Sequence, residues 1–343
     1  MIISRTRSGL LSMVSAIVLG LLLAPSAQAL DLKIATIAPE GTVWMKQMRD
    51  GSKEIKERTD GRVNFKFFGG GVMGNDKKVM RKIRIGQLHG GMFTPSSVAD
   101  IYPNMQLYGM PLVFSSVGEV EYARERMDSI LMAGLEEAGL VSFGFSDGGF
   151  ARVLSNTPIT SVDSLKGRKV WVPEGDLITY NTMSALGLSP VTLAVTDVMT
   201  GLQTGLVDIV GSSPVGAVVM QWHTKVKYMT DFPLGYLMGY MVVDKKYFDK
   251  ISDADQQIVR EVFGKVYAEF DRQNKLDDSA AFQALVDSGI EIVRPNEQEI
   301  ENWRTLVYAS NFEMADRGVI SRELLDKMLG YIDEYRQSQK EAN

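Results

Sequence analysis

Residues 144–148, "GFSDG", fit the G-x-S-x-G pattern of a nucleophile elbow, in which Ser146 would attack a carbonyl carbon. Acids such as Asp197 and Asp208, followed by His223, come in the order that a serine hydrolase of that design needs. An elbow, however, is a strand, a sharp turn and a helix. The residues that follow, "GFARVLSNTPI", continue as extended chain with β-branched side chains and a proline. Hydrolysis is therefore a rival reading, one that labelling by a fluorophosphonate probe would support. A second stretch, "GGGVMG" (69–74), has the glycines of a phosphate cradle. It lacks both the G-K-[ST] ending of a P-loop and the spacing of a dinucleotide site, and reads as a strand-to-helix loop. His89 and His223 have no His, Asp or Glu at ligand spacing, and there is no cysteine, so transition-metal sites are poorly supplied and no cofactor is expected.

Aromatic and methionine side chains clustered at loops point to binding instead. In "SLKGRKVWVPEGD" (164–176), Lys166-Gly167 closes a turn and residues 169–172 have strand composition. Pro173 stops the ladder for want of an N–H, and a helical run begins at Leu177. Trp171 then sits at a strand end, where α/β proteins hold ligands, with Glu174 and Asp176 beside it. Trp44, Met92, Phe93, Tyr236, Met238 and Tyr240 recur in similar settings. Each taken singly reads as core; together, flanked by Gly and Pro, some are candidates for the wall of a pocket. The basic cluster Lys77, Lys78, Arg81, Lys82 and Arg84 reads as a solvated helix face, with a docking surface as the alternative.

The elements that must position these residues alternate. Strand signals at 32–36 and 62–68 are each followed by a helix: one reaches Arg58, with Glu54 and Arg58 at i,i+4, and one has Val79 and Ile83 on one face. A helix near 117–138 precedes extended segments at 141–147 and 151–156. Val198, Leu202 and Leu206 line up on a helix leading to a strand at 207–210, and "LMGYMVVDKKYF" reads as one more strand. From Asp253 to Ser288 runs the longest helical pattern, opened by Ser252 and Asp255, striped by Ile258, Val262, Val266 and Phe270, and closed at Gly289. At 1.5 Å per residue it spans about 54 Å, more than one small lobe, so it is expected to cross two. Strands alternating with helices imply α/β lobes.

Arg5 and Arg7, an apolar run Leu10–Leu23 and Ala27-Gln28-Ala29 have the form of a secretory signal peptide, cleaved after Ala29. The 343 residues carry a net charge of −5, and losing the two leader arginines makes the remainder more acidic. That balance argues against non-specific nucleic-acid binding. An exported chain with no cysteine for disulfides or lipid attachment fits a bacterial periplasm.

In order along the chain, "LKIATIAPEGTVW", "GGGVMGNDKKVMRKIRIGQLHGGM", "YGMPLVF", "LSNTPITSVDSLKGRKVWVP", "SPVTLAVTDVMTGLQTGLVDIV" and "MVVDKKYFDKISDADQQIV" resemble the DctP-type solute-binding proteins of tripartite ATP-independent periplasmic (TRAP) transporters. The resemblance implies a two-lobed periplasmic binding protein fold of the α/β class with a long helix spanning both lobes. It implies a non-enzymatic role: capture of a small organic ligand by hinge closure, then handover to integral-membrane TRAP subunits. On this frame lobe I comprises residues 30–150 plus about 237–276, lobe II 151–236 plus about 277–318, and 319–343 form a C-terminal helix and tail.

Three positions depart from the family pattern. Trp171 stands where "LKG-x-K-[IV]-R-VP" carries an arginine that forks onto a carboxylate. A second family arginine, in "GFR", corresponds to Ala151, or to Arg152 only with a one-residue shift to the opposite strand face. The family's Glu-Asn-Pro after "LVD" is Ser212-Ser213-Pro214. These changes remove ionic or amide recognition, so the expected ligand is partly apolar or aromatic, neutral or weakly charged, rather than a C4-dicarboxylate. Trp171 and Phe93 are the expected walls, with Tyr236 and Met238 near the lobe crossing. Ser213 and Thr94 are candidate hydrogen-bonding groups, Glu174 a partner for a cation or hydroxyl, and Arg152 a carboxylate anchor if the shift is real. A receptor of the same fold serving a sensor is the alternative role.

Overall fold

The computed structural model describes residues 29–342. The leader expected at 1–29 lies outside the described residues apart from Ala29. The first half of the chain forms β1 (Leu30–Ala35), α1 (Val43–Arg58), β2 (Val63–Phe68), α2 (Asp76–Arg84), β3 (Gly90–Phe93), α3 (Val117–Glu137), β4 (Leu140–Ser142) and β5 (Ser146–Ser155). Next come β6 (Trp171–Pro173), α4 (Leu177–Ala185), β7 (Val191–Leu193), α5 (Val198–Thr204), β8 (Ile209–Ser212), α6 (Pro214–Val219) and β9 (Tyr228–Asp244). The chain ends with α7 (Lys245–Phe248), α8 (Asp253–Asp287), β10 (Glu291–Val293), α9 (Glu297–Asp316) and α10 (Arg322–Ala342).

The 17-residue β9 ties two half-sheets together. Its C-terminal part, from Tyr240, runs antiparallel to β3 and β4, and β3 continues through parallel β1 to β2. Its N-terminal part, Tyr228–Gly239, runs antiparallel to β5, with β10 parallel on its other edge and β8 beyond β5. Two irregularities of register, between Asp147 and Phe150 and between Ala151 and Val153, bend β5 where the halves meet.

Helix α8 is the second tie. Ser252 caps it by accepting from the Asp255 N–H at 3.3 Å, and its 35 residues extend about 52 Å. Val259, Val262, Phe263, Tyr267 and Phe270 enter a core with β1 and β2, with Ile258 and Val266 packed alongside. Farther on, Leu285 enters a different core with Val210, Trp171 and Trp222. Each such fully buried side chain stabilises the fold by about 1.5–3 kcal/mol, so the helix contributes to both halves at once. At the C terminus, α10 packs Leu325, Met328 and Ile332 against Val120, Ala123 and Met127 of α3.

Three local expectations are corrected. Leu206 is 48% exposed and off the Val198–Leu202 stripe, because α5 stops at Thr204 and Gly205 turns left-handed at φ +67°. The following strand runs over 209–212 rather than 207–210, since Asp208 and Ile209 first bond the Lys169 carbonyl. Trp171 opens its strand instead of ending it, and Pro173 lies within the ladder. The main-chain bonds to β7 use the Val170 carbonyl and the Glu174 N–H, so the edge on which Pro173 lacks a donor faces away from β7.

Candidate functional site

A cavity of about 430 Å³ opens where the two half-sheets meet. One side is built by the loop after β1 (Thr36, Ile37, Ala38), by Phe93 and Thr94 at the end of β3, and by Tyr236, Met238 and Tyr240 of β9. Alternation along a strand puts those three β9 side chains on one face. The opposite side comes from Trp171, from Ile178 and Thr182 of α4, from β8 and Ser213, and from Trp222. Phe270, Asn274 and Asp278 of α8 reach it from the bridging helix. Asn274 is itself fixed, accepting from the Trp44 indole N–H at 2.9 Å and donating to the Asp147 carbonyl.

Six of the eight residues expected at the site line this cavity: Phe93, Thr94, Trp171, Ser213, Tyr236 and Met238. Trp171 is more firmly held than a strand-end indole would be. It is 7% exposed, donates its N–H to the Leu193 carbonyl at 3.0 Å, and meets Trp222 edge-to-face at 5.3 Å. The Ser213 hydroxyl caps α6, accepting from Gly216 N–H at 3.2 Å. The Thr94 hydroxyl bonds Ser96 and Ser97 at 3.1 and 3.0 Å.

Two residues are placed elsewhere. Glu174 forms an ion pair with Lys77 at 2.8 Å and lines a separate small cavity. Ala151 lines the main cavity, whereas Arg152 is outside its lining. The guanidinium bonds Asp231 at 3.3 Å, stands 3.8 Å from Asp278 and lies over the Phe282 ring. The one-residue shift that would bring a basic group to the wall is not seen, because neighbouring residues of a strand face opposite ways.

The wall's charge is lopsided. Asp76, Asp147, Asp176 and Asp278 line the cavity, and among the described residues no Lys, Arg or His does. Burial pushes the carboxyls of all four above the usual range. Asp76 accepts from Ser97, Asp147 from Tyr236 and the Gly149 N–H, and Asp176 from the Thr179 N–H at the start of α4. Unpartnered polar atoms also face this space: both amide atoms of Gln106, the Tyr240 hydroxyl, the Trp303 indole N–H and Asp278 Oδ1. Sequence reasoning did not single out Trp222, Gln106, Asp278 or Trp303. For Trp222 and Trp303 the rarity of tryptophan was a usable signal; Gln106 and Asp278 are brought in only by tertiary packing.

Ser146 is not set up as a nucleophile. It opens β5 as part of a continuous strand, and its hydroxyl accepts from Asn274 at 3.2 Å, while the His223 ring bonds the Ala217 carbonyl at 3.0 Å. The strand–turn–helix that an elbow requires is absent at this position.

A two-lobed α/β chain with a ligand-sized cavity at the crossing of a shared strand and a shared helix defines a solute-binding protein. Residues 34–316 match the model of the bacterial extracellular solute-binding protein family 7, DctP, and the chain belongs to that family. It is 27% identical over 276 residues to the C4-dicarboxylate-binding periplasmic protein DctP of Rhodobacter capsulatus, covering 77% of this chain and 80% of that one. It is also 23% identical over 248 residues to the 2,3-diketo-L-gulonate-binding periplasmic protein YiaO of Escherichia coli, covering 70% and 73%. Among solved structures, a TRAP periplasmic solute-binding protein from Desulfovibrio salexigens with bound orotic acid superposes with TM-score 0.80 at 19% identity, over 90% of this chain and 99% of that one. One from Sulfurospirillum deleyianum with bound succinate gives 0.79 at 19%, over 88% and 98%. The protein is a solute-binding protein of this family and not an enzyme. Among the described residues no helix is long and apolar enough to cross a membrane.

Proposed function

We propose that this protein is the periplasmic solute-binding subunit of a TRAP importer and that it captures a partly apolar or aromatic small molecule rather than a C4-dicarboxylate. Closure of lobe I (30–150 and about 237–276) on lobe II (151–236 and about 277–318) about the β5–β9 crossing would enclose the ligand and present it to the membrane subunits. The observation that carries this reading is a wall of Trp171, Trp222, Phe93 and Met238 containing four carboxylates and, among the described residues, no basic side chain. A desolvated carboxylate on a ligand would find no compensating charge there and would face like charges. An indole and a phenyl ring instead offer rigid apolar contact area.

Protein purified from its native host without refolding, then denatured, should release such a molecule for identification by mass spectrometry. A released compound with a ring or an extended hydrocarbon part and at most one carboxylate is the expected result. Release of succinate, malate, fumarate or another compact dicarboxylate in stoichiometric amount overturns the reading.

A further inference from the structure

We propose that the solute is an organic amine, with its apolar body against Trp171 and Phe93 and its ammonium group between Asp147 and Asp278. This rests on the reading of the cavity as the site for a partly apolar solute and goes one step further, to the charge of the polar end.

The two carboxylates converge on Gly149. Asp147 Oδ1 accepts from the Gly149 N–H at 2.6 Å. Asp278 Oδ1 lies 3.0 Å from the point a Cβ at position 149 would occupy, and it has no hydrogen-bond partner. Gly149 has φ +75°, so a side chain there would be strained and would press on Asp278. The cations nearby are already engaged. Arg124 pairs with Asp128 and Asp271, and Arg152 and Arg294 share Asp231, with Arg152 only 3.8 Å from the other Asp278 oxygen. Asp147 takes part in no ion pair among the described residues. Buried Asp147 and half-buried Asp278, the latter with one oxygen unpartnered, thus line a cavity with no Lys, Arg or His among its described lining residues.

An independent observation shows that the cavity is furnished for a polar partner. Gln106 and Tyr240 are 4% and 1% exposed, line the same space, and leave both amide atoms and the hydroxyl without partners. Buried polar groups are rarely left so, and a bound solute carrying donors and acceptors would satisfy them. An ammonium, a compact charge with three donors, suits a polar end lined by carboxylate acceptors. Among the described residues no cluster of three His, Cys, Asp or Glu side chains stands ready to hold a metal ion there.

The test uses three matched probes on the ligand-stripped protein by calorimetry: 3-phenylpropylamine, 3-phenyl-1-propanol and 3-phenylpropanoate. A charge-assisted hydrogen bond gained in a desolvated site should favour the amine over the alcohol by about tenfold or more. Asp278→Asn should abolish that preference. If the alcohol binds as well as the amine, or the amine does not bind at millimolar concentration, the ammonium site is overturned while the apolar reading of the cavity stands. If the carboxylate binds most tightly, both fall. The comparison of probes on the unmodified protein decides the matter even if the Asp278 variant fails to fold.

Discussion

Replacing Glu269 with proline is expected to destabilise both lobes together, by about 3 kcal/mol or more. Glu269 is on the solvent face of α8, in an exposed pair with Arg272, so the substitution removes no core side chain. It does remove an i→i−4 hydrogen bond and drives the proline ring against the preceding turn in mid-helix. On the N-terminal side Val262, Phe263 and Tyr267 pack under the β1–β2 half, and the Tyr267 hydroxyl accepts the Met241 N–H of β9 at 2.6 Å. On the C-terminal side Leu285 anchors the half containing β8. A kink between them misplaces one set of contacts whichever set is kept. Hydrogen exchange during denaturant unfolding, followed at β1 and at β8, should show both strands losing protection at one lowered midpoint. Glu269→Ala, the control, should change stability by less than about 0.5 kcal/mol, as exposed ion pairs contribute little. Loss of protection in one half only would contradict the bridging role of α8.

Trp171→Ala is expected to lower stability by about 3–5 kcal/mol, the usual range for deleting a buried aromatic side chain. Its indole fills a core with Val198, Val210 and Trp222 and donates to the Leu193 carbonyl, which also accepts from the Glu174 N–H, so the variant loses packing and one hydrogen bond. Trp171→Phe should be milder, because it keeps a ring against Trp222 and loses only the N–H and part of the volume. Thermal unfolding measures both variants. The same pair separates structure from recognition: Phe at 171 should retain most of the affinity for a ring-bearing ligand, and Ala should lose it. An alanine variant as stable as the parent would show that the indole does not hold this core together.

Much of this was legible along the chain. Helix α8 was readable almost to the residue because its signals are local: a capping serine, an apolar stripe of one period and a glycine at the stop. Family motifs spread over most of the chain carried the two-lobed architecture. The strand at Trp171 was harder, since Pro173 ends a ladder only on an edge that needs its N–H, and which edge pairs is a tertiary fact. Ala151 against Arg152 was readable as a choice of two strand faces, and packing makes the choice. Glu174 was assigned by proximity to Trp171 in sequence, yet the turn at Gly175 carries it to Lys77. The Asp147–Asp278 pair was invisible: its members are on a strand and a helix far apart in sequence, and the motif around Asp147 points to its neighbour Ser146 instead.

The central claim is that this cavity rejects compact dicarboxylates. Without the charge-assisted fork of an arginine, a buried carboxylate typically forfeits about 2–5 kcal/mol, roughly thirty-fold to several-thousand-fold in affinity. C4-dicarboxylates have little apolar surface with which an indole could offset that loss. The most direct measurement is calorimetric titration of succinate, malate and fumarate into the ligand-stripped protein, with the succinate-bound Sulfurospirillum deleyianum protein as positive control. No saturable heat up to millimolar concentration is the predicted result; micromolar or tighter binding of any of the three by the unmodified protein would contradict the account.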